Sequence, residues 1–216
     1  MKSLLLFLLL PFAAFAQNVS RQHVSLDNTR RTPASPRQHI SLDQHWKFHL
    51  GDAADPTRDF NFRTVSIFAK SGKSGGTAIA ADFKDNDWRD ISLPHDWAVE
   101  LPFEYSPDPD VMSHGYKPVG GRYPSTSIGW YRKHFTVAPA DSGKRFVVRF
   151  DGIYRDSKVW INGFYLRGNA SGYIGFTCDI TDFLRYGHDN VLVVRVDASQ
   201  YEGWYYEGAA SIATSG

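Results

Sequence analysis

The sequence predicts an all-β protein built as an antiparallel β-sandwich, and three observations lead to this fold class. Short runs rich in β-branched and aromatic residues recur at 130–136, 145–151, 157–161 and 190–196. Glycine- and proline-rich turns separate these runs. No helical segment alternates with them, as a parallel βαβ sheet would require.

Two dipeptides indicate how the predicted strands turn. Asn162-Gly163 lies between two such runs and predicts a type I′ hairpin, because both turn residues need a positive φ. Asp151-Gly152 is typical of a turn or a β-bulge. Trp160, inside an apolar run, is expected in the core, since aromatic side chains dominate sandwich cores.

Two segments read as irregular. A short helical turn is expected around 180–184, with Thr181 or Asp182 as its N-cap. Residues 51–86 show no clear periodicity, and Ser71–Gly76 within them is predicted to be a flexible insertion. Its likeness to a phosphate-binding loop fails, because the spacing is wrong and no strand-to-helix context surrounds it.

The N-terminus predicts an exported protein. Residues 1–16 combine Lys2, an apolar run and an Ala14-Phe15-Ala16 cleavage site, which together indicate a signal peptide. A membrane anchor is the alternative, but the apolar run is too short to span a bilayer. Polar residues 17–38 predict a flexible leader. Cleavage of the signal peptide after Ala16 is expected to leave the mature protein in the periplasm or outside the cell.

Composition excludes several classes of partner. The formal net charge of +1 argues against nucleic acid and anionic membranes. The single cysteine, Cys178, forbids an internal disulfide and is expected to be a small buried hydrophobic residue. The eight histidines lack ligand spacing, so neither a metal nor a cofactor is predicted.

Several segments, in the right order over 39–209, resemble the N-terminal sugar-binding domain of family 2 glycoside hydrolases, the β-galactosidase and β-glucuronidase group. Leu93-Pro94-His95-Asp96-Trp97 resembles the family's L-P-H-D-W motif, and Val159-Trp160-Ile161-Asn162-Gly163 resembles its V-W-x-N-G hairpin. Further matches are 42–48, 87–88, 129–135, 150–154, 172–181 and 190–197. The resemblance implies a jelly-roll sandwich of the galactose-binding-domain type.

The resemblance also implies where sugar is contacted. It assigns Glu202, Trp204 and Glu207 as contacts, with Asp197 and Tyr206 behind them. Sugars offer C–H faces to aromatic rings and hydroxyls to carboxylates, so this segment is a plausible pocket wall. The alternative is that the same aromatic residues pack against further domains of a longer enzyme; the two roles are compatible.

Hydrolysis by this chain alone is not expected, and no residue is predicted to be catalytic. The chain has four glutamates, namely Glu100, Glu104, Glu202 and Glu207. The family places its catalytic acids in a later barrel, which needs about 250 residues and does not fit here. His95 and Asp96 suggest a dyad, but a strand end with Asp96 accepting loop N–H groups explains them more simply.

Residues 210–216 are expected to be an aberrant tail. A relative would continue as Gly-Ile-Tyr-Arg-His-Val-Trp-Leu, and one possible coding of that segment, read one base out of frame, gives Ala-Ser-Ile-Ala-Thr-Ser-Gly, the sequence of 210–216. This indicates a frameshift or a base-call error. It predicts that the strand after Ala209 is lost and that an open edge promotes self-association.

Three functions remain. The first is the N-terminal sugar-binding domain of an exported β-galactosidase-like hydrolase, inactive alone, with a β-galactoside-like carbohydrate and the missing downstream domains as partners. The second is a free-standing carbohydrate-binding module. The third is a small hydrolase that uses Glu202 and Glu207.

Overall fold

A computed structural model describes residues 37–64, 67–73, 75–105, 122–124, 127–199 and 211–214. The chain divides into two compact units, 1–38 and 39–216, and the second contains every strand described below. The predicted signal peptide and nearly all of the predicted leader lie outside the described residues, so they stay predictions.

Twelve strands make up the described fold. In chain order they are β1 Trp46–Gly51, β2 Arg89–Ile91, β3 His95–Asp96, β4 Phe103–Tyr105, β5 Arg122–Pro124, β6 Ile128–Thr136, β7 Val147–Ile153, β8 Ser157–Ile161, β9 Phe164–Asn169, β10 Phe176–Asp179, β11 Asp189–Asp197 and β12 Ser211–Thr214. Short 3₁₀ turns cover Phe62–Thr64, Ile67–Ser71, Ala98–Glu100, Pro139–Asp141 and Thr181–Phe183. The described residues contain no α-helix.

Two larger sheets form the sandwich. One has six strands in the order β2-β1-β6-β11-β8-β9, and the other has four in the order β10-β7-β12-β3. Strands β4 and β5 form a separate pair, and every strand pairing is antiparallel. The predicted fold class, an all-β antiparallel jelly-roll sandwich, is confirmed.

The inner core lies between these sheets. Alternate residues of the central strand β11, Leu192, Val194 and Val196, face Phe150 and Ile153 of β7, and all five are fully buried. Sheet-on-sheet packing of this kind follows from the period of two along a strand, which sends every second side chain inward.

The opposite face of the six-stranded sheet is also buried. The described residues of 52–88, here called the outer coat, cover it and pack Ile79 and Trp88 against Trp130, Trp160 and Val193. Trp160 is thus a core residue as predicted, but in this outer cluster. Double coverage explains why β11 reads as an almost continuous apolar run.

The two predicted turns are confirmed. Asn162 and Gly163 have φ values of 51° and 86° and join β8 to β9, as a type I′ hairpin requires. Gly152 lies opposite Ala213, but Phe150 lies opposite the next residue of β12, so Asp151 is the extra residue of a bulge within β7.

The predicted helical turn exists, but its predicted N-cap is wrong. The 3₁₀ turn spans Thr181–Phe183, and its N-cap position is Ile180, without a side-chain cap. Thr181 instead accepts a hydrogen bond from the Phe146 N–H at 2.9 Å, while Asp179 accepts the Thr181 N–H at 3.1 Å. The Asp179 carboxylate thus binds the backbone two residues ahead, as an Asx turn does.

The prediction that the strand after Ala209 is lost is wrong. Residues Ser211–Thr214 form β12, which pairs with β3 on one side and β7 on the other. Ladder hydrogen bonds join main-chain groups, so Ser211–Thr214 can complete the four-stranded sheet whatever side chains they carry. The open edge invoked for self-association is therefore filled, whereas the frameshift itself stays a prediction.

Cys178 is buried as predicted, at 4% exposure, and burial raises the pKa of its thiol to about 11. Across the described ranges no helix is long and apolar enough to cross a bilayer. The same ranges hold no group of three or more histidine, cysteine or acidic side chains arranged to bind a metal ion.

Candidate functional site

One end of the sandwich, here called the loop end, holds Asp197, the candidate sugar contact that the structure describes. Asp197 at the end of β11 lies opposite Ile128, where β6 begins. The connection from β7 to β8 passes this end at 154–156, and Ser211 enters β12 opposite Asp96. Trp97, the next residue, packs so closely over Gly129 that a Cβ there would come within 2.7 Å of its ring.

Asp197 is the one predicted sugar contact within the described residues, and its carboxylate is already engaged. Oδ1 accepts hydrogen bonds from the Ser199 N–H, at 3.1 Å, and from the Ser199 hydroxyl. Oδ2 pairs with Arg195 Nη1 at 3.2 Å, and the side chain keeps 18% exposure. Asp197 therefore fixes the direction in which the chain leaves β11 and still presents one edge to solvent.

A buried network holds Asp197 from behind. Arg195, 5% exposed, forms a second ion pair with Asp59 at 2.9 Å, and Asp59 also accepts the Trp130 Nε1–H at 2.7 Å. The Arg195 guanidinium lies 4.3 Å from the ring centroid of Phe62. Charged hydrogen bonds of this kind hold both partners in one geometry. The loop end is thus anchored to the outer coat.

The loop after β7 is hydrogen-bonded to Asp197, and the sequence did not predict this contact. The Asp197 N–H donates to the Arg155 carbonyl at 3.1 Å, and Ala198 donates to the Ser127 carbonyl at 3.1 Å. Arg155 Nε also pairs with Asp156 at 3.0 Å. The sequence feature nearest to this loop was Asp151-Gly152, which predicted a turn or bulge but not the contact with Asp197.

Four predicted contacts, Glu202, Trp204, Tyr206 and Glu207, lie outside the described residues. The residues that flank their segment are described. Ser199 is held by Asp197, and Ser211 pairs opposite Asp96. Both flanks therefore lie at the loop end.

His95 and Asp96 each make their hydrogen bonds to other residues. Asp96 Oδ1 accepts the Ala98 N–H at 2.9 Å, as predicted for a strand end. Burial raises the pKa of Asp96, and this hydrogen bond opposes the rise. The His95 ring instead lies between the Tyr131 hydroxyl, 2.9 Å from Nδ1, and Arg89 Nη2, 2.9 Å from Nε2.

Charged neighbours and burial act together on His95. Its Nε2 faces two charged groups, since Arg89 Nη2 lies 2.9 Å from it and Glu100 Oε1 lies 3.5 Å from it. Burial, opposed by the nearby Glu100 carboxylate, lowers the pKa of His95. Burial also raises the pKa of the fully buried Tyr131 well above its usual value. His95 and Tyr131 thus form a polar contact between the two sheets at the base of the loop end.

The described carboxylates of the loop end are suited to holding loops and binding hydroxyl groups. Asp59 and Asp197 share Arg195, Asp156 pairs with Arg155, and Asp96 accepts a backbone N–H. A glycosidase acid needs a raised pKa and a second carboxylate at a defined separation. Burial raises the pKa of Asp96, but its Oδ1 is engaged in accepting the Ala98 N–H.

Known proteins share this architecture. Residues 40–216 match the family model described as glycosyl hydrolases family 2, sugar binding domain. Beta-galactosidase BoGH2A of Bacteroides ovatus is 39% identical over 175 residues, 81% of this chain and 17% of the relative. A putative beta-glucuronidase of Formosa agariphila is 40% identical over 167 residues, 77% of this chain and 13% of the relative.

Solved structures agree. A beta-glycosidase from Bacteroides vulgatus superposes with a TM-score of 0.56 at 31% identity, over 83% of this chain and 20% of that one. The fold and these matches define a sugar-binding domain of the glycoside hydrolase class. The chain belongs to glycosyl hydrolase family 2 and spans less than a fifth of the length of the two curated relatives.

Proposed function

We propose that this chain is the N-terminal domain of an exported glycoside hydrolase that cleaves terminal β-glycosides, with β-galactosides as the first choice of substrate. The family match over nearly the whole second unit carries the proposal. Relatives named β-galactosidase and β-glucuronidase support both classes of glycoside. The chain supplies sugar contacts and no catalytic residue.

The loop end supports a binding role. Asp197 is held in place by Arg195 and Ser199 and retains a partly exposed carboxylate, which suits an acceptor for sugar hydroxyls. In this proposal Glu202, Trp204, Tyr206 and Glu207 extend the wall that Asp197 begins. The carbohydrate sits between this wall and the downstream domains, which provide the acids.

Export completes the proposal. The segment 1–16 acts as a signal peptide, so the enzyme works in the periplasm or outside the cell. Mass spectrometry of the secreted protein tests this directly. We expect the mature N-terminus at Gln17, and a retained Met1 in the cytoplasmic fraction would contradict export.

A free-standing carbohydrate-binding module is the second candidate, and one observation favours it. Strand β12 pairs on both sides, so the four-stranded sheet is continuous from β10 to β3 within this chain. A domain closed in this way has the means to fold and bind sugar without a neighbour.

One experiment separates the two candidates. The genomic DNA beyond the Ala209 codon is read for about a kilobase in all frames. The first proposal predicts that a neighbouring frame continues into a barrel with paired glutamates. A stop in every frame, together with galactose binding by the purified chain, would instead favour the module. Turnover of a nitrophenyl β-galactoside by the chain alone would contradict both.

A further inference from the structure

An open cleft of about 420 Å³ lies where β9 and β10, the edge strands of the two sheets, run near one another. This volume falls in the range of roughly 300–1,000 Å³ typical of small-molecule sites. The cleft adjoins the loop end, because Asn169 in its lining pairs opposite Ser157 at the start of β8. None of the lining residues is a sugar contact predicted from the sequence.

Two guanidinium groups reach this cleft. Arg149 lies opposite Thr177 in the ladder between β7 and β10, and Arg167 Nη1 donates to the Thr177 carbonyl at 3.4 Å. Both arginines are exposed and both line the cleft. Two positively charged side chains, one from β7 and one from β9, therefore flank Thr177.

Both arginines keep donors for a ligand. Arg149 pairs with Asp151 through Nε at 3.1 Å, which leaves its two terminal nitrogens unengaged by the described residues. No carboxylate in the described part of the chain lies within ion-pair distance of Arg167. Its guanidinium is held 5.0 Å from the ring centroid of Phe176, a cation–π contact that orients it.

The rest of the lining suits a sugar ring. Ile174 is 63% exposed and offers an apolar surface for C–H groups. Asn169 donates through Nδ2 to the carbonyls of Ser171 and Ile174, which leaves its side-chain oxygen as an acceptor for a hydroxyl. A Cβ on Gly175 would lie 2.9 Å from the Phe150 carbonyl, so only glycine fits this wall.

We propose that this cleft is a second carbohydrate site that binds an anionic sugar, a uronate or a sulfated residue, through Arg149 and Arg167. The carbohydrate class rests on the proposed function, and the preference for a negative charge rests on the two guanidinium groups. Guanidinium groups bind carboxylate and sulfate oxygens through paired, charge-assisted hydrogen bonds. Ile174 and Asn169 then receive the ring and a hydroxyl.

Calorimetric titration of the whole chain tests the site with glucuronic acid and glucose, which differ by a carboxylate. We expect glucuronic acid to bind at least tenfold tighter, and Arg149→Gln and Arg167→Gln each to weaken it by about tenfold. Arg145→Gln is the matched control, because this exposed arginine of the same face pairs with Asp179 outside the cleft. Glucose 6-sulfate separates a uronate site from a sulfate site.

Equal affinity for glucuronic acid and glucose would overturn the proposal, as would an equal loss in the Arg145→Gln control. Unchanged thermal midpoints establish that the exposed arginine variants are folded. These outcomes are distinguishable from failure of the proposed function, which the downstream DNA decides. A chain with a barrel in the neighbouring frame and no charge preference keeps its family role and loses only this cleft.

Discussion

The two faces of the six-stranded sheet are both buried, but they are buried by different means. The inner face meets another sheet, whose main-chain groups are paired in ladders, and the side chains between the sheets are mostly apolar. The outer face meets an irregular coat whose carbonyls need partners of another kind. Arg132, 0% exposed, provides them by donating to the carbonyls of Ala78, Ala80 and Phe83. Buried carbonyls in a strand are paired with neighbouring strands. Buried carbonyls in irregular backbone need a donor from a side chain instead.

The largest expected effect comes from removing that donor. Arg132→Met should lower the free energy of unfolding by about 3–5 kcal/mol, because it breaks the buried ion pair with Asp85, which keeps only His134 among the described residues, and removes the donor to three coat carbonyls. Urea denaturation followed by tryptophan fluorescence measures the loss. Arg145→Gln, which removes an exposed ion pair, should cost less than about 1 kcal/mol. A similar loss in both variants would mean that the coat is not held by Arg132.

A matched pair on β11 compares the two faces directly. Val193 faces the outer coat and Val194 faces the inner core, and both are 0% exposed. Each change to alanine should cost about 2 kcal/mol, from lost burial and the cavity that remains. The two losses are compared by urea denaturation under one set of conditions. A much smaller cost for Val193→Ala would show that the coat packs loosely.

A smaller effect is expected at the loop end. Asp197→Ala removes two hydrogen bonds to Ser199 and one ion pair of Arg195, which still retains Asp59. The free energy of unfolding should fall by about 1 kcal/mol. Ser199→Ala should cost less, because it removes only the hydroxyl bond. Should Asp197→Ala cost as much as Arg132→Met, the anchor would be part of the core.

The smallest effect concerns pH. The pKa of His95 is lowered in the folded protein by burial, so the unfolded chain takes up its proton first as pH falls. The contribution of neutral His95 to stability is therefore complete above pH 6.5 and is lost on acidification below that value. His95→Gln cannot titrate and should lose less stability than the natural chain between pH 7.5 and pH 5. Parallel pH curves for the two proteins would exclude this role.

The strands and turns of the sandwich could be predicted because their signals are local. Asn162-Gly163 and the β-branched run of β11 each indicate their conformation within a few positions. The outer coat could not be predicted, because its order comes from contacts far apart in sequence. Arg195 and Asp59 are 136 positions apart, and the sequence around each residue gives no indication that they form an ion pair.

The same distinction applies to motif residues that looked functional. Asn162 donates to Asn190 at 2.9 Å and accepts the Val191 N–H at 2.9 Å, so the asparagine of the hairpin motif clasps β8 to β11. His95 of the L-P-H-D-W motif packs against Tyr131. Of the predicted sugar contacts, the structure describes Asp197 alone, and sequence could place it at a strand end but could not reveal its anchor.

Amide hydrogen exchange on the whole chain tests most directly whether the outer coat and the sheet form one cooperative layer. The Trp88 N–H, bonded to the Asp85 carbonyl at 3.0 Å, and the Ala80 N–H, bonded to the Thr77 carbonyl at 3.1 Å, report on the coat. The predicted result is that both exchange only through global unfolding, at the same opening free energy as the amides of β11. Exchange of the coat amides through a separate low-energy opening, while β11 stays protected, would contradict it.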